Sequence, residues 1–357
     1  MGDYQRKPQR TRVRTSYTKS SDAMFSSVDS DTSAAAAVLR PRRTCIIVCG
    51  MHRTGTSAVA RVVSLLGADV PKELVLPDAN NVRGYWEPSA VVRVHNQLLN
   101  ALGTSSADPL PLPRDWLELA CTQQAKAKLV NIIEAEFTES RLFVVKDPRI
   151  TKVLPLWLKL LDELHVGTGV VIPFRHPLEV AASLKKRDNM SFATSLLLYV
   201  DSYLNAEISS RGRPRCFVSY DRLLSDWRHL QHKLTDIIGE RLPEEGADHS
   251  FEIETYLSPA LRHHQHTRDD LMRLTDAPPI VGELYDLLNK AALGGDSTRL
   301  QNSFDRLRQL ADDAATLYRA YVIEERAKWQ EAVNEFEQSK SWRVTAPFRS
   351  MNRFFNL

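Results

Sequence analysis

The chain has 357 residues, 43% hydrophobic and 25% charged, which are globular values with room for one large α/β domain and appendages. Its net charge of +3 comes from one end: residues 1–43 carry nine Lys/Arg against four Asp, a balance of +5, and the remainder stands at −2. A near-neutral body excludes nucleic acid as an implied partner, no apolar run is long enough to span a membrane, and the N-terminus lacks the apolar core of a secretory signal.

In chain order, residues 1–42 are rich in Ser, Thr, Arg, Asp and Ala and read as a disordered basic tail. An apolar strand over 44–49 follows, then Gly50-Met51-His52-Arg53-Thr54-Gly55-Thr56-Ser57, then a helix over 57–66. This strand, glycine-bounded turn and helix start is the layout of a phosphate-binding loop. The lysine of a triphosphatase loop is replaced by Thr56, and a cation sits earlier, at Arg53. Free N–H groups at the helix start, the hydroxyls of Thr54, Thr56 and Ser57, and Arg53 suit an anion.

Arg83-Gly84-Tyr85-Trp86-Glu87-Pro88 precedes a helix over 89–102. A carboxylate among aromatic residues could be partly desolvated and serve as a general base; a rim glutamate at a helix start fits equally. After a helix over 122–137 comes a strand over 142–146, ending in Lys146-Asp147-Pro148-Arg149. Here a lysine leaves a buried strand, and Asp147 either orients it or caps the helix over 151–164. A strand over 169–174 ends at Arg175-His176-Pro177, with Ser183 nearly two turns into the helix over 178–187. A helix over 191–210, a strand over 215–219 and a helix over 223–239 complete the body. Strands alternating with helices give a three-layer α/β, P-loop-like fold with a mostly parallel sheet. Its ligand belongs at the carboxyl ends of the strands.

The domain limits read as 1–42 for the tail, 43–276 for the α/β domain and 277–357 for a helical extension. Within the extension, apolar positions recur at helical spacing over 297–338, giving one long helix suited to docking or to a coiled coil. His263, His264 and His266 fit a surface cluster or a ligand contact better than a metal site. Cys45, Cys49 and Cys216 lie in apolar runs and, with Cys121, show no metal-ligand spacing; they read as reduced thiols, placing the chain in the cytoplasm or at the inner membrane face.

Over residues 43–240 the chain resembles sulfotransferases that use 3′-phosphoadenosine 5′-phosphosulfate (PAPS). The loop 50–57 is similar to the family's 5′-phosphosulfate loop. Arg175 and Ser183, in R-x-P-x-x-x-x-x-S, match its 3′-phosphate motif, and the segment 219–223 resembles the one whose tyrosine, here Tyr220, lies near the adenine. The resemblance implies catalysis by Arg53, Glu87 and Lys146, and cofactor binding by Arg53, Thr54, Gly55, Thr56, Ser57, Arg175, Ser183 and Tyr220. It implies sulfuryl transfer to an acceptor hydroxyl with no metal required. A tail over 339–349, similar to one in bacterial glycan-biosynthesis proteins, tilts the acceptor toward a glycan. Two alternatives stand beside this: a Mg²⁺-dependent P-loop kinase, and a non-catalytic scaffold working through its long helix.

Overall fold

The computed structural model describes residues 43–243, 249–257, 266–274, 277–294 and 297–345. The tail expected over 1–42, His263 and His264, and residues 346–349 of the glycan-type segment lie outside them.

Four strands, β1 (Thr44–Val48), β2 (Leu142–Lys146), β3 (Gly167–Phe174) and β4 (Arg215–Ser219), form one sheet in the order β2-β1-β3-β4. Every pairing is parallel. Side chains alternate across it, as a strand's two-residue period requires. Cys45 and Ile47 of β1 enter one core, Ile46 and Val48 the other.

The first core is closed by α2 (Ser89–Ala101), α3 (Ala120–Phe137), α4 (Ile150–Glu163), α5 (Pro177–Asp188) and α6 (Phe192–Ser209). The second is closed by α1 (Thr56–Leu65), α7 (Tyr220–Ser225), α8 (Arg228–Ile238) and α9 (Ser250–Tyr256). The strand order makes the connection from β1 leave toward β2 and that from β3 toward β4. A crevice therefore opens between the tips of β1 and β3, where sheets of this kind bind ligands.

Several helices differ from the sequence reading. The single helix expected over 223–239 is two, α7 and α8, because Asp226 is extended (φ −156°, ψ 77°). The break lets Trp227 bury its ring in the second core. Within the extension, where the sequence reading gave no helix before 297, Pro279 starts α11 (Pro279–Gly294), preceded by the short α10 (Arg268–Arg273). Proline suits a first helical position, and Val281, Leu284 and Leu288 of α11 enter the first core. The long helix α12 (Thr298–Gln338) begins there too, with Phe304 and Leu307 buried. Farther along it, Leu317, Tyr321 and Trp329 are 84%, 63% and 72% exposed, and α13 (Lys340–Val344) folds against its end through Trp342 and Phe336. Among the described residues no helix is long and apolar enough to cross a membrane.

Candidate active site

A cavity of about 360 Å³ occupies the crevice. It gathers Arg53, Gly55, Thr56, Ser57, Glu87, Lys146, Arg175 and Tyr220, brought from five separate stretches of chain. Arg83 and Arg187 join them. Among the lining residues, five cations (Arg53, Arg83, Lys146, Arg175, Arg187) face one carboxylate, Glu87. Such an excess of one sign draws an anion. Burial, then the neighbouring Arg187, and also Arg175, push the Arg53 guanidinium below its ordinary value. A bound anion would relieve that repulsion.

The loop is shaped by two positive φ values, Arg53 at 68° and Gly55 at 90°. Gly55 caps α1, and a Cβ there would come within 2.4 Å of the Tyr220 ring. Only glycine allows the ring to lie against the start of α1, where the first N–H groups have no helical partner. Thr54 does not offer its hydroxyl to the cavity: it is fully buried and donates to Met51 O at 2.7 Å, stapling the loop. Thr56 and Ser57 line the cavity.

The other face of the crevice is the tip of β3. Tyr199 and Tyr203 of α6, both buried, donate to Arg175 O (2.9 Å) and Pro173 O (2.8 Å), fixing that tip. Arg175 donates from Nε to Glu179 (2.6 Å) and lies over the Tyr220 ring, 5.0 Å from its centroid. Ser183 does not line the cavity, so the expected pairing of Arg175 with Ser183 takes another form. The Ser183 hydroxyl accepts from Arg53 Nε at 2.7 Å and holds the loop arginine toward α5. Arg187 lies one helical turn beyond Ser183, on the same side of α5.

Lys146 is the hub. It is 2% exposed and donates to Glu87 Oε1 (2.6 Å), Tyr85 O (3.0 Å) and Ser57 Oγ (3.3 Å), which uses all three ammonium protons. The Glu87 carboxylate meets cations rather than the aromatic surroundings the sequence suggested: Arg149 Nη1 lies 3.5 Å from its second oxygen.

Asp147 does not orient Lys146. Its Oδ1 accepts from the Arg149 backbone N–H (3.0 Å) and from Arg149 Nη1 (2.8 Å), and its Oδ2 meets His95 Nδ1 at 2.7 Å. Trp157 Nε1–H donates to His95 Nε2 at 2.9 Å, so the ring proton sits on Nδ1 and points at Asp147. Burial alone would raise the Asp147 pKa; the His95 hydrogen bond, with the charge and backbone N–H of Arg149, outweighs it and holds the carboxyl well below the usual range. A closed chain thus runs Trp157–His95–Asp147–Arg149–Glu87–Lys146.

Sequence reading missed His52, Arg149 and Arg187 as site residues. The first two were within quoted motifs, and Arg187 was signalled by its four-residue spacing from Ser183. Burial, then Arg187, Arg149 and Lys146, lower the His52 pKa to about 3 against the pull of Asp147. Its imidazole is therefore neutral at pH 7. Cys45, Cys49 and Cys216 are buried free thiols, Cys216 pushed up by burial to about 12.

No family model matches the chain, and no curated protein matches it. Among solved structures it is similar to the sulfotransferase domain from the Synechococcus PCC 7002 olefin synthase, with 18% identity over 77% of this chain and 95% of that chain at a TM-score of 0.37. It is also similar to the sulfotransferase domain from the curacin biosynthetic pathway, with 14% identity over 75% of this chain and 98% of that chain at a TM-score of 0.33. Likeness at these scores carries no functional argument; the charges and distances of the site do.

Proposed function

We propose that the chain is a PAPS-dependent sulfotransferase, moving a sulfuryl group to an acceptor hydroxyl. The observation that carries this is the cavity lined by five cations and one carboxylate at the β1–β3 crevice. The cation set matches a doubly anionic ligand, with a phosphosulfate at one end and a 3′-phosphate at the other. The first N–H groups of α1, with the Thr56 and Ser57 hydroxyls, hold the 5′-phosphosulfate. Arg175 binds the 3′-phosphate, Ser183 contributes by holding Arg53, and Tyr220 supplies a ring face for the adenine.

Glu87 accepts the acceptor's proton as the acceptor oxygen bonds to sulfur. The bond between sulfur and the bridging phosphate oxygen breaks, and its electron pair stays on that oxygen. Arg53 and Lys146 stabilise the charge gathering there. Lys146 has no spare proton while it serves Glu87, Tyr85 O and Ser57, so turning to the leaving oxygen releases its bond to Glu87. The donor's arrival then frees the base.

A kinase would draw on Asp147 to hold Mg²⁺, but both oxygens of that buried carboxylate are taken by His95 and Arg149. Transfer of ³⁵S from labelled PAPS tests the proposal. Wild type transfers label without added metal and Lys146→Ala loses at least about 100-fold in rate. Equal rates in the two proteins would contradict it.

A further inference from the structure

A second cavity of about 410 Å³ adjoins the cation-lined one. His52, Asn80, Tyr85, Glu87 and Arg187 line both, so the Glu87 carboxylate stands in the shared wall. The two cavities differ in chemistry. Apart from the shared wall, the second is lined chiefly by Met51, Val75, Val92, Leu184, Met190 and Leu198. Its charged groups are matched to one another. Arg149 meets Glu87 and Asp147, Arg187 meets Asp188 at 2.5 Å, and Asp78 accepts from the Tyr85 hydroxyl at 2.8 Å.

A saccharide needs a dense set of unpaired donors and acceptors to replace its hydration, because each polar group buried without a partner is costly. This wall pairs its charged groups internally, offers His52, Asn80 and Ser106 as its few further polar groups, and otherwise presents aliphatic and thioether surface. Its volume lies in the range of small-molecule sites, which are mostly apolar with a few placed polar groups.

Resting on the sulfuryl-transfer reading, we propose that this second cavity is the acceptor site and that it takes an alcohol or phenol with an apolar body, its hydroxyl directed at Glu87. The glycan suggested by the C-terminal segment is the competing occupant. The shared wall then does two things. It separates an anionic donor from an uncharged acceptor, and it places the one carboxylate where both can reach it. Met190 is half-buried between α5 and α6, and Val92 is half-buried on α2. Neither belongs to the fully buried core, although Met190 packs against its edge.

The test uses the full chain with ³⁵S-labelled PAPS and three acceptors: 2-naphthol, 1-decanol and maltotriose. Binding of adenosine 3′,5′-bisphosphate is measured in parallel by calorimetry. The expected result is a kcat/KM at least tenfold higher for one of the two apolar alcohols than for maltotriose. Met190→Trp and Val92→Asp should each raise that alcohol's KM at least tenfold, with bisphosphate affinity within twofold of wild type. A preference for maltotriose, or an unchanged KM in both variants, overturns the acceptor assignment. Bisphosphate binding with no transfer to either alcohol overturns it as well. Failure of wild type to bind the bisphosphate overturns instead the sulfuryl-transfer reading beneath it.

Discussion

At the scale of single residues, the site turns on what Lys146 and Arg149 do to Glu87. Both oxygens of the Glu87 carboxylate are engaged by these cations, so in the proposed reaction the Lys146 contact must open for Glu87 to reach the acceptor proton, and the donor is the group that can open it. Glu87→Gln keeps the shape and removes the base. It is expected to lower kcat by about 10²–10⁴-fold, the range for general-base loss, while bisphosphate affinity stays within a few-fold. Parallel kinetics and calorimetry would check this, and an unchanged kcat would remove Glu87 as the base. Asp147 acts at one remove. Asp147→Ala leaves Arg149 and His95 without their shared partner, and breaking such a buried pair costs about 3–5 kcal/mol. Urea unfolding measures that, and a cost within about 0.5 kcal/mol would show that the chain through His95 holds nothing. Much of this was legible in the sequence: Arg53, Glu87, Lys146, Arg175 and Tyr220 all reach one cavity. The Glu87–Arg149 contact was not, because it joins residues 62 apart in sequence. Nor was the direction of the Arg53 side chain, which depends on a left-handed backbone at a non-glycine residue.

Among the elements, β1, the loop and α1 form a cradle whose closest constraint is Gly55 against Tyr220. Gly55→Ala puts a Cβ into that ring and a side chain at φ 90°. A loss of about 1–3 kcal/mol in stability is expected from the strain, with bisphosphate affinity reduced at least tenfold as the ring is displaced. Wild-type affinity in this variant would mean that the loop does not hold the ligand. The four strands fell where the apolar runs placed them, since a parallel strand buried on both faces shows as a continuous apolar run. The Asp226 break between α7 and α8 was not visible, because the 3.6-residue pattern continues through it and only burial of Trp227 favours the kink. Similarly, α11 was passed over at Pro278-Pro279, although proline opens helices as readily as it ends them.

For the whole molecule, pH provides a test that does not depend on activity. His176 is buried and its pKa lowered to about 4, by burial first and against the pull of Glu179; His52 is lowered to about 3. Both are neutral when folded at pH 5–6, but in the unfolded chain they take a proton near pH 6.5. The unfolded state therefore binds more protons below about pH 6.5, and stability falls as the pH drops from there toward about 4. His176→Asn keeps a helix-capping side chain without the titration, so its melting temperature should fall less between pH 7.5 and 4.5 than that of wild type; an identical slope would argue against a neutral His176. The central claim is that the crevice holds an adenosine 3′,5′-bisphosphate core rather than a nucleoside triphosphate. Thermal stabilisation tests it most directly, in wild type and Arg175→Ala. A ligand that binds only the folded state raises its stability by about 2.7 kcal/mol at 100 times Kd. Adenosine 3′,5′-bisphosphate without metal should raise the wild-type Tm by several degrees, and Arg175→Ala should lose most of that rise. Stabilisation by ATP–Mg²⁺ alone, with none from the bisphosphate, would contradict the account.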